Sequence, residues 1–205
     1  GYRGLDLSIA DATQPLPDRP LGGIEVLGLH REVSGYHLGG TADEDSEAVP
    51  EEEGAVDAPS DWTTYEDPDI GYTIEHPSDW EPSVEENGTF FYSPEGDMYL
   101  QVAYVQPPTA ETPEAAWYAQ EENFASTHEN YQRIGITPTT YQGMDAAAWE
   151  FTYEDGGTTL HAVNFGFITT DESTGMTLLF QTHEDVWDDS QDIFEQFKAG
   201  FRPPA

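Results

Sequence analysis

The feature that most constrains this chain is the alternation of aromatic and polar residues in its last third. Trp149, Phe151 and Tyr153 alternate with Glu150 and Thr152, and Phe165 and Phe167 flank Gly166. Farther on, Phe180 precedes Trp187, Phe194, Phe197 and Phe201, the last four spaced by seven, three and four residues. A period of two puts every second side chain on one face of a strand, whereas steps of three, four and seven line up along a helix. The pattern predicts antiparallel strands closed by an amphipathic helix. We expect 149–153 and 165–167 to be the inward sides of neighbouring strands, with the helix over 187–201 covering them.

The same signals extend upstream. Tyr72-Thr73-Ile74-Glu75-His76 alternates, and Pro77 breaks it. Asn87-Gly88 predicts a two-residue hairpin turn into a strand over 89–93. Asn87-Gly88-Thr89 is formally a glycosylation acceptor, but the turn accounts for Asn-Gly without further assumption. Residues 98–105 carry apolar side chains on both faces, which predicts a central strand. Thr112-Pro113-Glu114 reads as N-cap, N1 proline and first-turn acid of a helix running to about Glu129, with Trp117, Phe124 and His128 near one face. Strands over 131–137, 146–154, 159–169 and 176–182 follow, joined by turns at Gly143, Asp155-Gly156-Gly157 and 171–175. Acids between Glu184 and Asp189 suit the N-terminus of the closing helix. The expected fold class is α+β: an antiparallel sheet with helices packed on it.

Residues 69–205 hold nearly all the periodic signal and are expected to fold alone. Residues 1–40 contain two short apolar patches, 5–9 and 23–29, among Gly and Pro, and read as an irregular arm or an accessory strand. Residues 41–68 read as an acidic linker, since Asp43-Glu44-Asp45, Glu47, Glu51-Glu52-Glu53 and Asp57 have no basic residue among them. Carboxylates are also the ligands of hard cations, but the EF-hand order of acids and glycine is missing, so the block reads as a spacer.

With 41 acids against 6 lysines and arginines, the formal net charge is −35. Such a surface repels phosphate backbones, which excludes nucleic acid and anionic membrane as partners. It resembles a halophilic surface, kept soluble by self-repulsion. The absence of cysteine excludes disulfides, thiolate catalysis and Cys-based zinc sites. No apolar run reaches the roughly 18 residues of a spanning helix, and Gly1-Tyr2-Arg3 offers neither Met nor a signal-peptide core, as expected of a processed or excised piece.

Motifs that carry chemistry are missing. The six histidines form no His-x-x-x-His or His-Glu-x-x-His pair. His76, His161 and His183 are expected to pack or cap, and a buried one, with His183 the position to test, could act as a pH switch. There is no Gly-x-Ser-x-Gly elbow and no phosphate-binding glycine loop. Paired carboxylates could support glycosidase chemistry, but abundance makes each acid uninformative. Trp80, Trp117 and Trp149 could line a ligand pocket, although strands and helix need them as core anyway. No catalytic, cofactor-binding or metal residue is singled out, and the ligand-binding residues stay open.

One resemblance rests on particular stretches: Gly71-Tyr72-Thr73-Ile74, His76-Pro77-Ser78-Asp79-Trp80, Tyr99-Leu100-Gln101-Val102, Trp149-Glu150-Phe151-Thr152-Tyr153, and His161-Ala162-Val163-Asn164-Phe165-Gly166-Phe167. Thr182-His183-Glu184-Asp185-Val186-Trp187 and Phe201-Arg202-Pro203 complete it. Across about 61–203 the chain resembles the C-terminal extracytoplasmic domain of actinobacterial membrane serine/threonine protein kinases and related exported proteins. That resemblance implies a Mog1/PsbP-like α-β-α sandwich, an extracellular or cell-surface location, and a role in sensing or ligand binding. It supplies no catalytic residues, because the kinase motifs His-Arg-Asp and Asp-Phe-Gly are not in this chain. The implied function is a non-catalytic extracytoplasmic binding or sensing module, whose parent can be membrane-tethered and whose partner is an unknown protein or small ligand. The alternative is a structural or assembly protein of the cell surface that self-associates through the 1–40 arm. A secreted hydrolase is third.

The net charge generates a first prediction. Raising salt from low to molar concentration should raise the thermal midpoint by screening the repulsion among carboxylates, as followed by circular dichroism; a flat response would remove repulsion as a major energetic factor.

Overall fold

The computed structural model describes Pro59 and residues 61–204. The 1–40 arm with its two patches, and most of the acidic stretch, lie outside the described residues. Among the described residues nine strands and two helices follow one another: β1 (Trp62–Glu66), β2 (Thr73–Pro77), β3 (Pro82–Glu85), β4 (Gly88–Tyr92), β5 (Met98–Val105), α1 (Pro113–Thr127), β6 (Glu129–Tyr141), β7 (Met144–Asp155), β8 (Thr158–Ile168), β9 (Gly175–His183) and α2 (Trp187–Gly200). A short 3₁₀ turn, Glu184–Val186, leads into α2.

Seven strands form one antiparallel sheet in the order β3-β4-β5-β9-β8-β7-β6, and β1 pairs with β2 in a separate ribbon. The central place of β5 is as expected: six of its eight residues are buried. The expected hairpin forms one residue early. Glu85 pairs with Gly88, which leaves Glu86 and Asn87 as the loop. Gly88 has φ +143°, and a Cβ there would stand 2.4 Å from the Val102 carbonyl oxygen, so no other residue fits. The strand expected over 131–137 is longer, and Pro138 lies inside it; proline is tolerated because β6 is an edge.

The two faces of the sheet bury two separate cores. On one face Trp149, Phe151 and Tyr153 of β7 lie beneath α1 with Trp117, Phe124, Leu160 and Leu179. On the other, Phe165 and Phe167 of β8 join Leu178, Phe180, Trp187, Phe194, Phe197 and Phe201. This corrects the expectation that the closing helix covers both aromatic sets. Odd-numbered residues on adjacent antiparallel strands need not share a face: Trp149 sits opposite Asn164, not opposite Phe165.

Helix α1 starts as the sequence predicts, with the Thr112 hydroxyl accepting from the Ala115 N–H at 3.2 Å and Pro113 in the first turn. It buries only Pro113, Trp117 and Phe124, so two aromatic rings do most of its packing. The Phe124 ring meets Phe151 edge-on at 4.8 Å and Tyr153 at 5.4 Å. The Trp117 indole lies against Gly166, where a Cβ would come within 2.4 Å of it. Its N–H donates to the Ala147 carbonyl at 3.0 Å. Any side chain at 166 would displace the indole and forfeit a contact worth roughly 3–5 kcal/mol.

The β1–β2 ribbon lies on the α2 side. Trp62 meets Phe197 edge-on at 5.1 Å, and Tyr65 meets Phe91 at 5.7 Å. β1 falls inside the 41–68 stretch expected as linker, so the fold takes in residues from Trp62 onward and not only those from Asp69. The signal was weak because only Trp62 and Tyr65 of its five residues are even partly buried.

A fragment beginning at Asp69 should therefore be less stable than one beginning at Asp61 by roughly 3–5 kcal/mol, the cost of removing a large aromatic from a core. Urea titration of the two fragments checks this. His76, packed on Phe91 at 4.8 Å, generates a pH prediction. Desolvation holds its imidazole below the usual value, against opposing hydrogen bonds to the Pro77 and Trp80 backbone. As pH falls, the unfolded chain takes up this proton before the folded one does. The stability this group contributes is thus complete above about pH 6.5 and is lost as pH falls through its lower folded value. Denaturation midpoints at fixed high salt should decline from pH 7.5 to 5.5, and decline less in His76→Gln.

Candidate functional site

The topology gathers five chain segments at one end of the sheet. The strand β5 ends there at Val105, opposite Gly175 of β9, which in turn faces Ile168 at the end of β8. The β6–β7 turn, the β1–β2 turn and the residues after α2 arrive at the same end, which we call the rim.

Each rim loop is braced by its own side chains. The Asp67 carboxylate accepts from the N–H groups of Asp69 and Ile70 at 3.0 and 2.8 Å. Thr169 donates its hydroxyl proton to Asp171 at 2.7 Å, and its oxygen accepts from the Thr174 N–H at 3.1 Å. The Gln106 amide donates to the Thr174 hydroxyl at 2.8 Å, tying the β5–α1 loop to the β8–β9 turn. The Gln142 amide donates to the Phe201 carbonyl at 2.9 Å, tying the β6–β7 turn to the residues after α2. Hydrogen bonds, first from Thr169 and then from Ser173, hold the Asp171 carboxyl below its ordinary value, so it stays ionised well into acid.

Two adjoining clefts open between these loops. One of about 600 Å³ is lined by Thr109, Glu111, Asp145, Thr169, Thr170 and Glu172 above Met144 and Ile168. The other, of about 460 Å³, is lined by Asp69, Gln106, Gln142, Asp171, Ser173 and Pro203, and shares Met144, Thr169 and Thr170 with the first. Both fall in the volume range of small-ligand sites. Hydroxyls, amides and carboxylates converge over a small apolar floor, and no lysine or arginine lines either cleft. Such a surface can accept and donate hydrogen bonds and favours neutral or cationic groups over anions.

A second constellation sits at the opposite end. His161, buried on β8, directs Nδ1 at Glu184 (2.6 Å) and Nε2 at Glu150 (3.0 Å) while its ring stacks on Trp187 at 3.7 Å. Both ring nitrogens face carboxylate oxygens. With neither nitrogen on a hydroxyl, the group is not arranged to activate a nucleophile. It fastens the start of α2 to the sheet.

The other residues that the sequence brings forward are core. Trp80 packs on Phe197 at 5.5 Å on the α2 side, while Trp117 and Trp149 meet at 5.9 Å on the α1 side, so the three cannot line one pocket. Trp117 does border a crevice of about 40 Å³, far below ligand size. His183 closes β9 without a side-chain capping bond. Full burial falls on His76 and His161 instead. Among the described residues no group of three His, Cys, Asp or Glu is arranged to hold a metal ion. The rim residues escaped sequence reasoning because each of their loops reads simply as a turn; their convergence follows from strand order.

Comparison with known proteins agrees with this architecture. No curated protein matches the chain significantly. Among solved structures, the cyanobacterial PsbP of Synechocystis sp. PCC 6803 superposes with a TM-score of 0.57 at 18% identity, over 73% of this chain and 96% of its own. The Ran-binding protein Mog1p of Saccharomyces cerevisiae gives 0.54 at 9%, over 70% and 95%. LpqN of Mycobacterium tuberculosis, a protein involved in cell envelope biogenesis, gives 0.51 at 14%, over 71% and 91%. At these identities the likeness is one of fold, and the fold is Mog1/PsbP-like. Residues 63–203, more than half of the chain, match the family described as the serine/threonine kinase C-terminal domain, and the chain belongs to that family.

Proposed function

We propose that this domain is a non-catalytic, extracytoplasmic binding or sensing module, and that the rim clefts are where it meets its ligand. The observation that carries the proposal is the joined cleft itself: four connections and the residues after α2, cross-tied by Gln106 and Gln142, frame convergent hydroxyls, amides and carboxylates. Binding residues on loops held by a rigid scaffold are the usual arrangement of a recognition site. Family membership supports an accessory role, since the domain type accompanies kinases and the chain carries no kinase motif. The acidic surface suits an exposed, salty setting.

The test is to titrate the protein with a panel of small ligands comprising polyamines, divalent cations, oligosaccharides and short peptides, while following backbone amide resonances. Shifts should cluster at Thr109, Asp145 and Thr170, and Thr170→Trp should abolish them by filling the cleft. Shifts confined to other surfaces, or chemical conversion of a panel member, would overturn the reading. Location is checked separately by fusing alkaline phosphatase, which is active only outside the cytoplasm, to the C-terminus of the full reading frame.

A further inference from the structure

The two edges of the large sheet are treated differently. The edge strand β3 is four residues long and is guarded by Glu81, Glu85 and Glu86, a common protection against unwanted pairing. The other edge, β6, is thirteen residues long, and between Glu129 and Asp145 fifteen consecutive residues carry no acid. The chain holds 41 acids in 205 residues, a rate that would place three there. One other acid-free run is as long, residues 156–170, and burial explains it: it is β8, with eight buried residues in sequence. Burial does not explain β6, where most positions are exposed. Ile134 is 55% exposed on this edge, and an acid that reaches its start, Glu121 of α1, is neutralised there by Arg133 at 2.8 Å, whose guanidinium also lies over the exposed Tyr118 ring.

We propose that the free edge of β6 is a self-association surface on which a second copy of this chain pairs, β6 against β6, about a two-fold axis. Charge identifies the occupant. A basic partner would be met by acids, which this surface has in excess everywhere else. Removing them from one exposed edge serves a partner that is itself negative, and a copy carrying −35 is such a partner. Two copies that repel over the rest of their surfaces come together where repulsion is least. The geometry allows it: irregularities in the β6–β7 ladder are confined to 129–135, and from Gly135 to Tyr141 the register runs without a break. Pro138 removes one donor from that stretch. An antiparallel pair of identical strands is self-complementary, as a two-fold interface requires. Its area is small, so the association is weak, reversible and strengthened by salt.

The test is light scattering on the full chain, with no ligand added, across protein concentration at low and at molar salt. The mass should rise toward twice the monomer with concentration, and the dissociation constant should tighten about tenfold in molar salt. Ile134→Glu combined with Thr139→Glu should weaken pairing at least tenfold with an unchanged melting midpoint. Val84→Glu, a matched exposed position on the β3 edge, should leave pairing intact. Amide exchange supplies a readout that needs no variant, since β6 amides should slow as concentration rises. A monomer at every concentration and salt overturns the proposal, even one whose β6 amides are protected. A dimer that survives the β6 substitutions, or is lost in Val84→Glu, overturns it as well.

Discussion

One set of strands here has to bury two opposed cores, and the register between β7 and β8 sets both. Facing α1, the large residues stand on β7 and the small ones on β8: Trp149 opposite Asn164, Phe151 opposite Ala162. Facing α2 the sizes reverse, with Ala146 opposite Phe167 and Ala148 opposite Phe165. A slip of one residue could bring Phe165 opposite Trp149 and would turn the β8 rings from α2 toward α1. The bare backbone at Gly166 is part of the same scheme, since it makes room on β8 for the Trp117 indole.

Much of this was legible in the residues themselves. Thr112-Pro113-Glu114 marks the start of α1, and the spacing of Trp187, Phe194 and Phe197 marks α2, because capping and helical periodicity are local properties. The meander from β6 to β9 was legible from its turns. The partition of aromatics between helices was not, because it depends on which residues sit opposite one another. β1 escaped for a related reason: Trp62 and Tyr65 gain their partners only when β2 and α2 are already in place. The rim is legible only once strand order is known.

The acids of this protein are best read by where they are missing. Buried strands exclude them for reasons of desolvation. The rim keeps them, among hydroxyls and amides, as Asp69, Glu111, Asp145, Asp171 and Glu172. The edge at β6 is exposed and yet without them. On a surface so uniformly negative, a neutral strip is the distinctive mark, as a basic patch would be on an ordinary protein.

The ribbon strand β1 gives the domain a polarity. It runs from Trp62, opposite Pro77, toward the β1–β2 turn, where Asp69 and Ile70 line a cleft. Five residues of strand span roughly 17 Å, so the chain upstream of Trp62 joins the domain a strand's length from the rim. A pull applied at Asp61 would load the β1–β2 ladder first, peeling the ribbon from α2 before the seven-stranded sheet carried any load.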